Sequence, residues 1–214
     1  MKAYRVHEYG DTAKFVKDEV DKPIAKKGHV VVEVKASSLN PIDHKLLKSD
    51  LGINPGLPGI LHMDVAGVIT EVGEEVTAFK VGDDIYGCAG GLQGEAGLIQ
   101  GALADFMPVD SNLISLKPKS LSFAESAALP LVTITAWEGL FDRASIKKDD
   151  HILVHGGAGG VGHVAIQLAR QHGARIATTV SSEDKAKVAR DLGAEDIVFY
   201  PKEKVEDYTQ RLTK

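Results

Sequence analysis

Apolar positions fall into two regimes along the chain. From Met1 to about Asp110 they come as short runs split by glycine and proline. The densest is Val30, Val31, Val32 and Val34, and further strand signals stand at Val65 to Val72, Asp84 to Tyr86 and Ala104 to Val109. Gly73, Gly82 and Gly90-Gly91 lie where turns are needed, and this spacing predicts a twisted, partly closed barrel. The pattern changes at Ser122-Phe123-Ala124-Glu125, a Ser-x-x-Glu capping box that opens an alanine-rich helix ahead of Pro130. A second helix is expected to start near Thr133 or Thr135. After Lys147-Lys148-Asp149-Asp150 the order becomes strand, glycine loop, helix, strand, helix, strand, which is that of a parallel α/β sheet. The chain is therefore read as α/β, with a mainly β domain over 1–122 and an α/β domain over 123–214.

The α/β region carries the clearest chemistry. The buried-strand pattern His151-Ile152-Leu153-Val154-His155 leads directly into Gly157-Ala158-Gly159-Gly160-Val161-Gly162, a complete G-x-G-x-x-G. In such a loop the first glycine permits a tight turn, the second lets backbone amides approach a pyrophosphate, and the third lets the following helix pack on the strand. The helix that follows keeps Val161, Ala165, Leu168 and Ala169 at helical spacing and is expected to end at Gly173. Its N-terminus faces the phosphates with unpaired N–H groups and partial positive charge. A second strand, Ile176 to Val180, completes a βαβ unit, and this context favours dinucleotide binding over a merely structural glycine turn.

Beyond that strand, NAD-preferring sites place an acidic residue on the ribose. This chain has Ser181-Ser182, whose hydroxyls donate to a 2′-phosphate without repelling it, and Lys185 one helical turn further on. The expected cofactor is NADPH. Glu183 and Asp184 oppose that reading if they turn inward, and the alternative is that all these residues only cap and solvate the next helix.

Composition narrows the function classes. Of 214 residues, 43% are hydrophobic and 26% charged, the profile of a folded globular protein. The net charge of -5 and the absence of a basic run argue against nucleic acid or an anionic membrane as partner. A lone cysteine, Cys88, makes neither an internal disulfide nor a multi-thiolate zinc site and fits a reducing cytoplasm. The segment MKAYRVHEYG lacks the apolar core of a secretion signal, and no stretch approaches the roughly 20 apolar residues of a membrane span.

Several motifs together carry a family resemblance. They are Ala36-Ser37-Ser38-Leu39-Asn40-Pro41-Ile42-Asp43, then Asp64-Val65-Ala66-Gly67-Val68-Ile69 with Glu71-Val72-Gly73, then Val81-Gly82-Asp83, Leu129-Pro130 with Thr133 to Trp137, and the glycine loop through Gln167. The chain resembles the quinone oxidoreductase branch of the medium-chain dehydrogenase/reductase superfamily. The resemblance implies a GroES-like barrel as catalytic domain, the first half of a Rossmann doubly wound sheet, and a cofactor lying in the cleft between them. It also implies that Asn40 lies near the nicotinamide and ribose, and that Thr133 and Thr135 sit at a helix start facing the cofactor.

Where zinc-dependent relatives place a cysteine and a histidine ligand, this chain has Ser38 and Met63, which cannot replace a thiolate or an imidazole. No metal is expected. Without zinc, the natural chemistry is hydride transfer from reduced nicotinamide to an acceptor that is already electrophilic, a quinone or an α,β-unsaturated carbonyl. The protein then orients the acceptor and stabilises charge on its oxygen. Asn40, Lys45 and His62 are the candidate donors. Simple surface exposure is the alternative for Lys45, and packing in a cleft or core the alternative for His62.

Two other functions stay open, an enoyl-thioester reductase and a nucleotide-binding protein without turnover. A six-stranded dinucleotide fold needs two βαβαβ halves, and only the first is legible here, so the chain is expected to be truncated. A homodimer is expected by analogy.

Overall fold

The β-branched runs of the N-terminal region pair as antiparallel sheets in the computed structural model, which describes residues 1–94 and 97–213. In chain order the elements are β1 (Lys2–Val6), β2 (Phe15–Glu19), β3 (His29–Ser37), α1 (Pro41–Lys48), β4 (Gly59–Ile60), β5 (Asp64–Val72) and β6 (Asp84–Cys88). They continue as β7 (Leu92–Gly94), β8 (Gly97–Ile99), β9 (Phe106–Asp110), β10 (Ile114–Leu116) and α2 (Phe123–Ala127). One sheet has the order β10-β6-β5-β3-β9 and another β2-β1-β4.

Val30 and Val32 of β3 pack with Val65, Ile69, Ile85, Met107 and Val109 in one core, while Val31 is also fully buried, so β3 is covered on both faces. Each such side chain removed from water contributes about 1.5–3 kcal/mol, which is why the valine run sits at the sheet's centre. Two expected strands differ in extent. The one expected over Asp84 to Tyr86 runs on to Cys88, and the one expected from Ala104 begins at Phe106, with Ala104 making only an isolated bridge to Ala3. The segment that follows the turn at Gly90-Gly91 contains the antiparallel pair β7 and β8, and its residues 95 and 96 lie outside the described residues.

The capping box forms as expected. The Ser122 backbone N–H donates to Glu125 Oε2 at 2.8 Å, and the Glu125 N–H donates to Ser122 Oγ at 3.2 Å. These bonds from Ser122 hold the Glu125 carboxyl below its usual range. The next helix, α3 (Pro130–Trp137), starts earlier than expected, because the ring of Pro130 fixes φ for a first helical residue and its missing N–H costs nothing there. Thr133 and Thr135 are therefore mid-helix residues and not a helix start. A π-helical segment, Glu138–Arg143, follows.

The chain divides into two compact units, Met1–Leu131 and Val132–Lys214. The second holds β11 (His151–Val154), α4 (Gly160–His172), β12 (Arg175–Val180), α5 (Glu183–Leu192), β13 (Asp196–Phe199) and α6 (Val205–Leu212). Its sheet is parallel, in the order β11-β12-β13. Ile166 and Ala169 of α4 and Ala186 and Ala189 of α5 pack with Ile176 and Val180 of β12. α4 ends on Gly173 as expected, with φ 91. Its buried face is made by Gly162, Val164, Ala165, Ile166 and Ala169, whereas Val161, expected on that stripe, is 37% exposed at the helix start. Among the described residues no helix is long and apolar enough to cross a membrane.

Candidate functional site

The turn from β11 into α4 is made one residue before the motif's first glycine. Gly156 takes the left-handed backbone, φ 69, and its carbonyl accepts the Gly159 N–H at 2.8 Å. A non-glycine residue is strained in that conformation. The motif's outer glycines answer to close contact instead. A Cβ on Gly157 would collide with Thr178 and Ile166, and one on Gly162 would collide with the Gly156 carbonyl. Gly159 is the N-cap of α4, without a side-chain cap, so the first-turn amides of Gly160 and Val161 are of the kind a helix leaves unpaired for an anion.

Beside this loop lies a cavity of about 140 Å³. Gly156, Ala158 and Gly159 line it on one side, and Thr179, Ser181, Lys185 and Tyr200 on the other. Lys185 Nζ donates to Ser181 Oγ at 3.0 Å, so the ammonium and the hydroxyl arrive together at the mouth of β12. Ser182 instead caps α5, its Oγ accepting the Lys185 N–H at 3.4 Å. Glu183 and Asp184 are exposed in the first turn of α5 and do not line the cavity. Sequence reasoning missed Gly156, Thr179 and Tyr200. The Gly156-Gly157 doublet was the available signal for the first, and nothing local marks the other two. Thr133 lines a different, open cavity of about 680 Å³ along α3 and the π-helical segment, and Thr135 is exposed on α3.

The first unit gathers a second polar group where β3 ends, α1 begins and β5 begins. Asn40 Nδ2 donates to Asp64 Oδ2 at 2.8 Å and to Ser38 Oγ at 3.1 Å, and Ser38 Oγ donates to the same Asp64 oxygen at 2.6 Å. Asp64 Oδ1 accepts the Leu131 N–H at 2.9 Å. Asp43 Oδ2 accepts the Asn40 N–H at 2.7 Å, while its buried Oδ1 has no hydrogen-bond partner among the described residues. His62, itself in the left-handed backbone region at φ 71, shares a 3.1 Å hydrogen bond between Nδ1 and Ser37 Oγ, and its ring meets the Phe15 ring edge-on.

Asp43 and Asp64 are both buried, and burial shapes the chemistry of the group. It pushes the Asp43 carboxyl up, against the Asn40 amide that favours the charged form. It pushes His62 down, against the pull of Asp43 and Asp64. The Cys88 thiol is pushed up to about 12 by burial and by the neighbouring Asp64 carboxylate. Of the predicted donors, Asn40 and His62 are thus brought into one cluster. Lys45 is exposed on α1, where its carbonyl accepts the Ser49 N–H at 3.0 Å, and its side chain makes no hydrogen bond or ion pair among the described residues. No three His, Cys, Asp or Glu side chains among the described residues form a group that would hold a metal ion.

Comparison with known proteins bears on the family of the chain. A family model described as "Alcohol dehydrogenase GroES-like domain" matches residues 26–119, and one described as "Zinc-binding dehydrogenase" matches residues 160–214. The 2-methylene-furan-3-one reductase of Solanum lycopersicum is 40% identical over 97% of this chain and 54% of its own length. An alcohol dehydrogenase superfamily protein from Novosphingobium aromaticivorans superposes with a TM-score of 0.90 at 40% identity, over 100% of this chain and 62% of that one. The Escherichia coli quinone oxidoreductase, solved in complex with NADPH, gives a TM-score of 0.84 at 28% identity, over 100% and 63%. The chain spans little more than half the length of the first of these relatives.

Proposed function

The chain belongs to the medium-chain dehydrogenase/reductase superfamily, and on that footing we propose that the protein is an NADPH-dependent oxidoreductase that reduces quinones or α,β-unsaturated carbonyls without zinc. One observation carries the reading: the glycine loop and the Ser181–Lys185 pair line a single cavity. The residues present fit the cofactor. Gly157 and Gly162 keep the cradle free of side-chain atoms, and the Gly160 and Val161 amides hold the pyrophosphate. Ser181, Lys185 and the Tyr200 hydroxyl hold the ribose 2′-phosphate. Bound there, NADPH supplies the hydride.

On the acceptor side, Asn40 spends its amide protons on Ser38 and Asp64 and so holds the cluster in shape. With Ser37 donating to Nδ1, neutral His62 carries its own proton on Nε2 and presents it to the acceptor oxygen. Lys45 serves as a further donor from α1, and a solvent proton completes the reduction. Zinc does not fit the residues present. Ser38 offers a hydroxyl that is already committed to Asp64, and both Asp64 oxygens are engaged, by Ser38 and Asn40 and by Leu131. A cytoplasmic location rests on the single free thiol, and a homodimer on the family resemblance.

The test is acceptor-dependent oxidation of NADPH by the 214-residue chain, with a panel of quinones and enones and with Gly159→Asp as control. Turnover that is lost in the control supports the reading. NADPH oxidation that the control leaves intact, or none with any acceptor, contradicts it.

A further inference from the structure

Resting on that cofactor reading, we propose that Thr179 is the positioning residue of the glycine loop, fixing the pyrophosphate cradle relative to the Ser181–Lys185 side of the cavity. Thr179 is the penultimate residue of β12 and is only 5% exposed. It fastens two consecutive loop amides. Its side-chain Oγ1 accepts the Gly156 N–H at 3.0 Å, and its main-chain carbonyl accepts the Gly157 N–H at 3.3 Å. The same hydroxyl lies 3.5 Å from His155 Nδ1, which offers an acceptor for its proton.

Gly156 is the residue on which the rest of the loop depends. Its carbonyl closes the turn by accepting the Gly159 N–H, and Gly162 is packed against that carbonyl so closely that no Cβ fits between them. The Gly156 carbonyl shares its peptide with the Gly157 N–H, which the Thr179 main-chain carbonyl holds, and the Thr179 hydroxyl holds the Gly156 N–H on the other side of the same residue. Thr179 therefore fixes both peptides that flank the residue against which the N-cap and the third glycine of the motif are set. The main chain of β12 continues from Thr179 through Val180 to Ser181, so the hydroxyl that fixes the loop is two residues from the hydroxyl that lines the other side of the cavity. A threonine supplies all of this at once. Its β-branch suits a buried strand, and its hydroxyl reaches an amide that the strand itself cannot pair.

Positioning differs from direct recognition in what it does to NADPH and NADH. Both carry the pyrophosphate, so loss of the Gly156 tie weakens both by the same factor, whereas loss of a 2′-phosphate contact weakens only NADPH. The experiment compares the 214-residue chain with Thr179→Val, Thr179→Ala and Thr179→Ser. Affinity for each dinucleotide is read by nicotinamide fluorescence, and exchange of the Gly156 amide is read by NMR on the cofactor-free chain. Removing the hydroxyl, by either Val or Ala, is expected to speed Gly156 exchange and to weaken both dinucleotides about tenfold. Thr179→Ser is expected to return both readouts to within about twofold of the unaltered chain.

Faster exchange with unchanged affinity overturns the positioning role, as does a serine variant no better than valine. Weakening confined to NADPH also overturns it, by making Thr179 a direct 2′-phosphate contact. If the unaltered chain binds neither dinucleotide, the cofactor reading falls and this proposal with it, while Gly156 exchange still reports whether the tie exists.

Discussion

At the start of α4 the uncapped polar groups are main-chain amides, and most of the residues around them are glycine. Where β3 meets α1, the groups are side chains, and those of Ser38, Asn40 and Asp64 are committed to one another, while Asp43 Oδ1 is buried without a hydrogen-bond partner among the described residues. The two regions fail differently as a result. The loop is harmed by added atoms, because Gly157 and Gly162 have no room for a Cβ. The cluster is harmed by removed atoms, because each loss leaves a buried donor without an acceptor.

Asp64→Ala is the harshest test of this contrast. It strips Asn40, Ser38 and the Leu131 N–H of their common acceptor, and is expected to destabilise the first unit by about 3–5 kcal/mol in urea unfolding. Stability within 1 kcal/mol of the unaltered chain would mean that the cluster is looser than these distances imply. Of similar size is the protection of Cys88. A thiol moved from 9.0 to about 12 forms roughly a thousandth of the thiolate at pH 8, so its reaction with a disulfide reagent should be about a thousandfold slower in the folded chain than in urea. Comparable rates in both states would show that the cluster is open to solvent.

Gly162→Ala examines the other region. It should weaken NADPH at least tenfold while leaving unfolding of the first unit unchanged, and a variant that binds normally would dissolve the distinction between added and removed atoms. The smallest effect concerns pH. Burial lowers the His62 pKa, so the unfolded chain takes up that proton more readily than the folded one, and His62 costs stability as pH falls through the ordinary histidine value of about 6.5. Asp43, shifted upward, works in the opposite sense at lower pH, since the folded chain there takes up its proton more readily. The drop in denaturant midpoint between pH 7 and pH 5.5 should therefore shrink in His62→Gln, and an unchanged drop would remove His62 from the balance.

The contrast also explains what could be read from the chain. Gly157, Gly162 and Gly173 are legible because contact or backbone conformation leaves no substitute, and Ser122 with Glu125 because a helix start needs its amides capped within four residues. Gly156 was hidden because the motif's frame drew attention one residue downstream. The helix that carries Thr133 and Thr135 starts earlier than expected because a proline both ends one helix and opens the next, and Pro130 is the first residue of α3. Thr179 and Tyr200 meet the loop only through the strand order β11-β12-β13, which no local pattern records. Asn40 and Asp64 are 24 residues apart, and their bond depends on the end of β3 meeting the start of β5.

The most direct measurement is a paired titration of the 214-residue chain and its Lys185→Ala variant with NADPH and NADH, followed by nicotinamide fluorescence. The expected result is tighter binding of NADPH than of NADH, with Lys185→Ala weakening NADPH about tenfold and leaving NADH unchanged. Equal affinities, a preference for NADH, or no binding of either would contradict the assignment of the loop and the Ser181–Lys185 pair to one cofactor.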